Sequence, residues 1–232
     1  MNMQKIWNIK IMLEDFFKSK SLQEFINHRF KDDSVYILPK NVAKYITTSY
    51  ATFNYDSMLS TLSDVEEYNI DDLKPTDIVL DVGACIGAFS MKVAKKVKHV
   101  YSVEPMMIEK LKNNLNLNND IKNITVIERA LGENDLDLEY HENKIKIKGT
   151  SLGELIQLCG GHVDFLKCDC EGGELFIKSE ELKGIRRIEM EVHCGRNRFN
   201  EFKKMLDDAG FKYTFTGNPS INAYIIHAKN NT

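Results

Sequence analysis

Asp81, Gly83 and Gly87 stand in the stretch "DVGACIGAFS" with the spacing D-x-G-x-x-x-G, and Glu104 follows Gly83 by 21 residues at the end of "VYSVEP". A glycine in such a turn permits positive φ and close approach of a ligand to the backbone, and the N–H groups that open a helix after Gly87 can meet a carboxylate. An acidic side chain at the end of the next strand, at the separation of Glu104, can accept hydrogen bonds from both hydroxyls of a ribose, and Pro105 ends that strand cleanly. The bland alternatives are a plain strand-to-helix turn and a surface glutamate. Neither G-x-G-x-x-G nor G-x-x-x-x-G-K-[ST] occurs, and Asp81 would repel a pyrophosphate, so dinucleotide binding and nucleotide hydrolysis are disfavoured. Asp81 suits a ligand whose amino-acid end carries an ammonium.

A second set of chemical groups lies further along. In "VDFLKCDCEGGE", Asp169 and Glu171 are two residues apart, so they share a side if the strand persists, and Gly172 and Gly173 let the chain turn sharply. Acids decorating a helix N-terminus are the structural alternative. In "IEMEVH", Glu189, Glu191 and His193 alternate onto one face. His193 has an intrinsic pKa near neutrality, which suits a general base for a hydroxyl acceptor; a histidine bonded to backbone explains it equally well. Glu191, buried in a central strand, needs a partner. Asp169, Glu171, Glu191 and His193 converging on a divalent cation is a further option, although the working expectation is a metal-free site.

These groups need elements to hold them. From residue 77 onward apolar runs and helical periodicities alternate: "DIVLDVGA", "HVYSVEP", "NITVIERAL", "HVDFLKCDC" and "RRIEMEVHC" read as strands. "GAFSMKVAKKV", "MIEKLKNNLNLN" (Ile108, Leu111 and Leu115 aligned), "SLGELIQLC", "GGELFIKSEEL" and "NRFNEFKKMLDDAG" read as helices, with a capping box from Ser151 to Glu154. "LDLEYHENKIKIKG" reads as a small hairpin, and "KYTFTG" and "AYIIHAK" as a final antiparallel pair. The expectation is an α/β fold with a doubly wound, mostly parallel seven-stranded sheet whose last strand is antiparallel. Residues 1–70 read as a mainly helical cap, with Leu13, Phe16 and Phe17, then Leu22, Phe25 and Ile26, at helical spacing, a capping box from Ser21 to Glu24, and "SVYILP" as a strand. Residues 71–232 form the ligand-binding domain.

A net charge of −3, from 31 basic and 34 acidic residues, offers no bulk attraction to phosphate polymers or anionic membranes. No run of 18 apolar residues and no signal-peptide core is present, which leads to an expectation of a cytoplasmic protein. The five cysteines are read as small buried hydrophobes rather than a disulfide framework.

"DVGACIGAFS", "VYSVEP", "ERALGE", "TSLGEL", "VDFLKCDCEGGE" and "IEMEVH" together resemble, in order and register, the FkbM-type S-adenosylmethionine-dependent methyltransferases of the class I fold, over about residues 77 to 195. Departures are Cys85 where the family often has asparagine, Cys168 and Cys170 in place of aliphatic residues, and Gly153 in place of a common aspartate. The resemblance implies that Asp81, Gly83, Ala84 and Gly87 surround the methionine end of S-adenosylmethionine. It implies that Glu104, with Pro105 beside it, holds the ribose, that Ala130 flanks the adenine, and that Asp169 reaches both cofactor and active site. Asp169, Glu171 and His193 are then the catalytic candidates, and the reaction O-methylation of a small-molecule or sugar hydroxyl. The rivals are an RNA (tRNA) methyltransferase, disfavoured because "DCEGG" replaces [DNS]-P-P-[YF], and a non-catalytic S-adenosylmethionine-fold binding protein. The N-terminal 70 residues are the expected source of a substrate lid.

Overall fold

The computed structural model describes residues 36–37, 45–54, 59–133, 135–140, 143–218 and 223–230. The apolar runs become the strands β4 (Ile78–Val82), β5 (His99–Val103), β6 (Ile124–Ile127), β11 (Phe165–Cys168) and β12 (Arg187–His193). Two further strands, β13 (Lys212–Asn218) and β14 (Ala223–Lys229), complete a seven-stranded sheet of order β13-β14-β12-β11-β4-β5-β6. Pairing is parallel from β12 to β6, while β14 runs antiparallel to both β12 and β13. The doubly wound expectation is met, and strand order reverses between β4 and β11, which puts a crevice at their carboxyl ends.

Helices α2 (Ala88–Ala94), α3 (Ile108–Leu117), α4 (Leu152–Leu158) and α5 (Arg196–Asp208) flank the sheet, following a shorter α1 (Leu59–Asp64). The capping box of Ser151 and Glu154 opens α4 as expected. On one face Phe89 of α2 stacks on Phe165 of β11, with centroids 6.1 Å apart, among Val79, Met91 and Val100. On the other, Phe199, Phe202 and Leu206 of α5 pack with Met190, Val192 and Ile226. Both faces are thus covered, as an all-parallel centre requires.

Residues before 71 enter the first of these cores. Ile46 of β2 (Tyr45–Thr47), Phe53 of β3 (Thr52–Asn54), Leu62, Val65 and Tyr68 are buried with Phe89 and Phe165. β2 and β3 belong to a three-stranded antiparallel ribbon begun by β1 (Tyr36–Ile37), inside the "SVYILP" stretch. Two buried asparagines of the α3 segment dock this ribbon. Asn114 accepts from the Asn54 N–H at 2.9 Å, and Asn118 accepts from the Thr52 N–H and donates to the Thr52 carbonyl, both at 2.7 Å. The aligned apolar face foreseen for α3 therefore includes an amide. The helices expected around Leu13 to Ile26 lie outside the described residues.

Two expectations need correction. "NITVIERAL" is not one strand: β6 stops at Ile127, and β7 (Ala130–Leu131) leaves the main sheet to pair in parallel with β10 (Gly149–Thr150). "GGELFIKSEEL" forms two 3-10 turns, Gly173–Phe176 and Ser179–Leu182, instead of a helix, because Ile177 and Lys178 are extended between them. The small hairpin expected before α4 is present as β8 (Leu136–Tyr140) and β9 (Asn143–Ile147), a two-stranded sheet of its own.

Candidate active site

The loop after β4 turns through three left-handed residues, Gly83 (φ 77°), Cys85 (φ 51°) and Gly87 (φ 89°). Gly83 is demanded by the protein itself. A Cβ there would lie 1.7 Å from the Asp169 carbonyl oxygen, so only glycine lets the end of β4 meet the end of β11. A Cβ at Gly87 would crowd the side chains of Leu111 and Met91, at 2.5 and 2.8 Å. Ala84 is buried, and its N–H donates to the Val103 carbonyl at 3.0 Å, tying the loop to β5.

Glu104 lies directly beside this loop and is almost fully buried. Its Oε2 accepts the Cys85 N–H at 2.8 Å, and its Oε1 accepts the N–H groups of Met106 and Met107 at 2.6 and 2.8 Å. It thereby holds both the glycine loop and the approach to α3, with Pro105 half-buried between the two. Ala130 is buried in β7, away from the main sheet.

Asp81 is completely buried and meets a charge from the protein: the Lys167 ammonium stands 3.3 Å from Oδ1, and Ser90 donates to Oδ2 at 2.6 Å. Lys167 also donates to the Gly83 carbonyl at 2.9 Å, lies 4.0 Å from Asp169 Oδ2, and faces the Tyr68 ring. Burial alone would lower its pKa, but Asp81 and Asp169 outweigh that and hold it protonated. Tyr68 donates to Asp169 Oδ2 at 3.0 Å. Burial and then Asp169 push the phenol above its usual range, so it remains a donor.

On the β12 side, acids crowd together. Glu191 and His193 approach at 3.4 Å, Glu171 at 3.8 Å, and Glu174 accepts the His193 N–H at 2.8 Å. Glu174, fully buried, also accepts from the Gly172 N–H and the Cys170 thiol. Glu174 and then Glu191 push the imidazole up to about 11 despite its burial, so His193 is an imidazolium at neutral pH. Burial, followed by Glu191 and Asp169, raises Glu67, and burial raises Asp169. One donor atom each of Asp169, Glu191 and His193 lies within 4.8 Å of the others, close enough for one cation to bridge. Glu171 is left-handed (φ 59°), with its side chain largely in solvent. Glu189, the remaining acid of the alternating face, is committed to Arg187, His227 and the Asn69 N–H.

The model of the methyltransferase FkbM domain matches residues 81–213, more than half of the chain and all of these groups from Asp81 to His193. The chain belongs to the FkbM methyltransferase family. The family match supports S-adenosylmethionine as the cofactor. Over 79 residues this FkbM domain is 39% identical to a probable cobalt-precorrin-6B C(15)-methyltransferase (decarboxylating) of Methanococcus maripaludis, an alignment covering 34% of this chain and 42% of that relative. The chain therefore spans less than half the length of the curated relative it matches. Among solved structures, the FkbM domain is similar to precorrin-6y C5,15-methyltransferase from Geobacter metallireducens, with a TM-score of 0.50, 12% identity and coverage of 78% of this chain and 93% of that one. It is also similar to the Methanococcus jannaschii fibrillarin pre-rRNA processing protein, with a TM-score of 0.50, 13% identity and coverage of 86% and 82%. At such identities the likeness is one of fold.

The fold thus brings Asp81, Gly83, Ala84, Gly87, Glu104 and Asp169 of this FkbM domain around the ends of β4, β5 and β11, and sets Glu171 and His193 beside Glu191. Sequence reasoning missed Tyr68, Lys167 and Glu174. Lys167 carried a legible signal: a lysine inside the buried strand "DFLKC" must find a counter-charge. Tyr68 carried none, since it reaches Asp169 from 101 residues away. Among the described residues no helix is long and apolar enough to cross a membrane.

Proposed function

We propose that this FkbM domain methylates a hydroxyl oxygen of a small molecule or sugar, with Asp169 as the group that takes the hydroxyl proton. The observation that carries the reading is the contact between loop and acid: the Asp169 carbonyl fills the space a Gly83 side chain would need, which sets the Asp169 side chain at the edge of the cofactor loop. About a quarter of that side chain is exposed, and burial raises its proton affinity, as suits a base.

The residues present fit S-adenosylmethionine. Glu104, at the end of β5 and next to the glycine loop, offers carboxylate oxygens to a ribose diol, and Ala84 and Gly87 lie along the same loop. Asp81 acts through Lys167 on the shape of that loop. The acids at the ends of β11 and β12 favour a cationic sulfur. When bound, the cofactor supplies a methyl group that the acceptor oxygen takes as the sulfur keeps the electron pair of the broken bond and becomes neutral. Asp169 receives the acceptor proton, and the His193 imidazolium balances Glu191, Glu171 and Glu174.

A neutral hydroxyl acceptor is favoured over RNA because Glu67, Asp169, Glu171 and Glu191 oppose phosphate. The segment before residue 71, through Glu67 and Tyr68, supplies part of the acceptor side, in keeping with a substrate lid. The test is transfer of label from S-[methyl-3H]adenosylmethionine to a panel of sugars, polyols and phenols, with tRNA and rRNA transcripts alongside. Labelled methyl ethers, lost with Asp169→Asn, are expected. Labelled RNA would overturn the acceptor class. Activity lost to EDTA and restored by magnesium would replace Asp169 as base by a bridging cation. Tight cofactor binding without transfer to any acceptor class would favour a binding protein.

A further inference from the structure

Lys167 is a cation in the middle of an apolar parallel strand, with 5% of its side chain exposed. A salt bridge to one buried acid would satisfy it, yet its ammonium has three separate polar neighbours. It is 3.3 Å from Asp81, 2.9 Å from the Gly83 carbonyl and 4.0 Å from Asp169. Asp81 and Gly83 belong to the cofactor side, while Asp169 faces the acceptor. The remaining side of the ammonium is closed by the Tyr68 ring, whose centroid is 5.5 Å away and whose hydroxyl holds the same Asp169 oxygen at 3.0 Å. Tyr68 is itself locked edge-on against Phe89, with centroids 5.7 Å apart and an interplanar angle of 87°. The adjacent Asn69 N–H is bonded to Glu189 of β12 at 2.8 Å. Both groups that grip Asp169 Oδ2 are therefore held by packing on rigid elements, and its rotamer is set before any ligand arrives.

We propose that Lys167 and Tyr68 are positioning residues for methyl transfer: together they orient the Asp169 carboxylate, and Lys167 locks it to the cofactor loop through Asp81 and Gly83. The assignment rests on Asp169 being the acceptor base. Tyr68 remains a donor because its phenol is buried beside a carboxylate. With Oδ2 occupied by the phenol and facing the ammonium, Oδ1 is the oxygen left for the acceptor proton. Lys167 also moderates the field that Asp169 exerts on a cationic sulfur, since a counter-charge about 4 Å away in a water-poor site has a large effect.

The test compares wild type with Tyr68→Phe, Lys167→Arg and the double variant Asp81→Asn/Lys167→Met, all in the full-length chain. The double variant avoids leaving Asp81 buried without a counter-charge, which by itself would threaten folding. Calorimetry gives affinities for S-adenosylmethionine and for S-adenosylhomocysteine, and single-turnover assays give the methyl-transfer rate to the hydroxyl acceptor found with the panel above. The double variant is expected to shift preference toward the sulfonium by at least about threefold, because Asp169 loses its counter-charge. Lys167→Arg keeps that charge and should recover most of the wild-type ratio. Tyr68→Phe should bind both ligands within about twofold of wild type, yet transfer the methyl at least about tenfold more slowly. A purely structural Lys167 would weaken both ligands equally and leave the ratio unchanged, which overturns the proposal even without an acceptor in hand. Asp169→Asn at the wild-type rate would remove the base assignment. Loss of rate in Asp169→Asn, with full rate in Tyr68→Phe and the double variant, would leave the base standing and remove the positioning role.

Discussion

The Cys85 N–H donates to Glu104 Oε2 at 2.8 Å, and the left-handed backbone of Cys85 is what aims that N–H inward. A non-glycine residue in that conformation costs about 1 kcal/mol, which the bond to a buried carboxylate offsets. Among the described residues only Cys85 and Glu171 share this conformation without being glycine, and both lie at the site.

Glu104 consequently has a structural load as well as a proposed ribose contact. Glu104→Ala removes the carboxylate that accepts the part-buried N–H groups of Cys85, Met106 and Met107, each bond contributing about 1 kcal/mol. We expect a loss of about 2–4 kcal/mol in urea unfolding and at least about tenfold weaker cofactor binding by calorimetry. Glu104→Gln, which retains one acceptor oxygen, should fall between. An alanine variant with wild-type affinity would remove Glu104 from the ribose.

Gly83→Ala is expected to be among the most damaging single changes in the chain. The added methyl falls 1.7 Å from the Asp169 carbonyl oxygen, a backbone atom just past the end of β11 that cannot swing away as a side chain would. Destabilisation above about 3 kcal/mol, or an insoluble product, is the expected result in thermal melts and expression trials. A soluble variant with an unchanged melting temperature would show that β4 and β11 can separate there.

The Cys85 thiol should be sluggish toward alkylating reagents at physiological pH. Burial, and then the Glu104 charge, push it up to about 11, so roughly one molecule in a thousand carries the reactive thiolate at pH 8. Peptide mapping after iodoacetamide treatment should show Cys85 labelling that climbs steadily as pH is raised toward 11. Rapid labelling at pH 7 would contradict this.

Asp72 gives the fold a pH dependence away from the site. Burial alone would raise it, but Lys229 at 3.0 Å, Arg187 at 3.9 Å and Arg186 at 3.2 Å outweigh that and hold it below the usual carboxylate range. A depressed carboxylate stabilises the folded state above its unfolded pKa near 3.9, and that contribution disappears as pH falls through the folded value. Asp72→Asn should therefore cost about 1 kcal/mol in urea unfolding at pH 7, and the gap to wild type should close near pH 2. A gap of equal size at both pH values would mean that charge is not the source.

Much of this architecture was legible because parallel sheets write a strong pattern. Strands buried on both faces must be mostly apolar, as in "DIVLDV" and "HVDFL", and the crossovers between them are usually helical. Strand existence, the antiparallel end and the capping box at Ser151 followed from such local rules. The interruptions did not. β6 ends at Ile127 although the apolar pattern continues, because Ala130 and Leu131 find a partner in Gly149 and Thr150, a pairing that no local window contains. The two short turns after Gly172 likewise answer to Glu174, whose carboxylate is bonded both to Gly172 and to His193 on the next strand.

At the site the division is sharper. Residue types and spacing by themselves determined which side chains come to the strand ends, since a parallel strand followed by a turn leaves Asp81, Glu104, Asp169 and His193 little choice of end. Tertiary structure decided what those side chains are. It gave Asp81 a lysine as counter-charge and filled the space beside Gly83 with the Asp169 backbone. By surrounding His193 with Glu171, Glu174 and Glu191, it raised the proton affinity of the imidazole. The physical reason is that protonation and pairing depend on charges a few ångströms away, and those charges arrive from segments as distant in the chain as Tyr68 and Asp169.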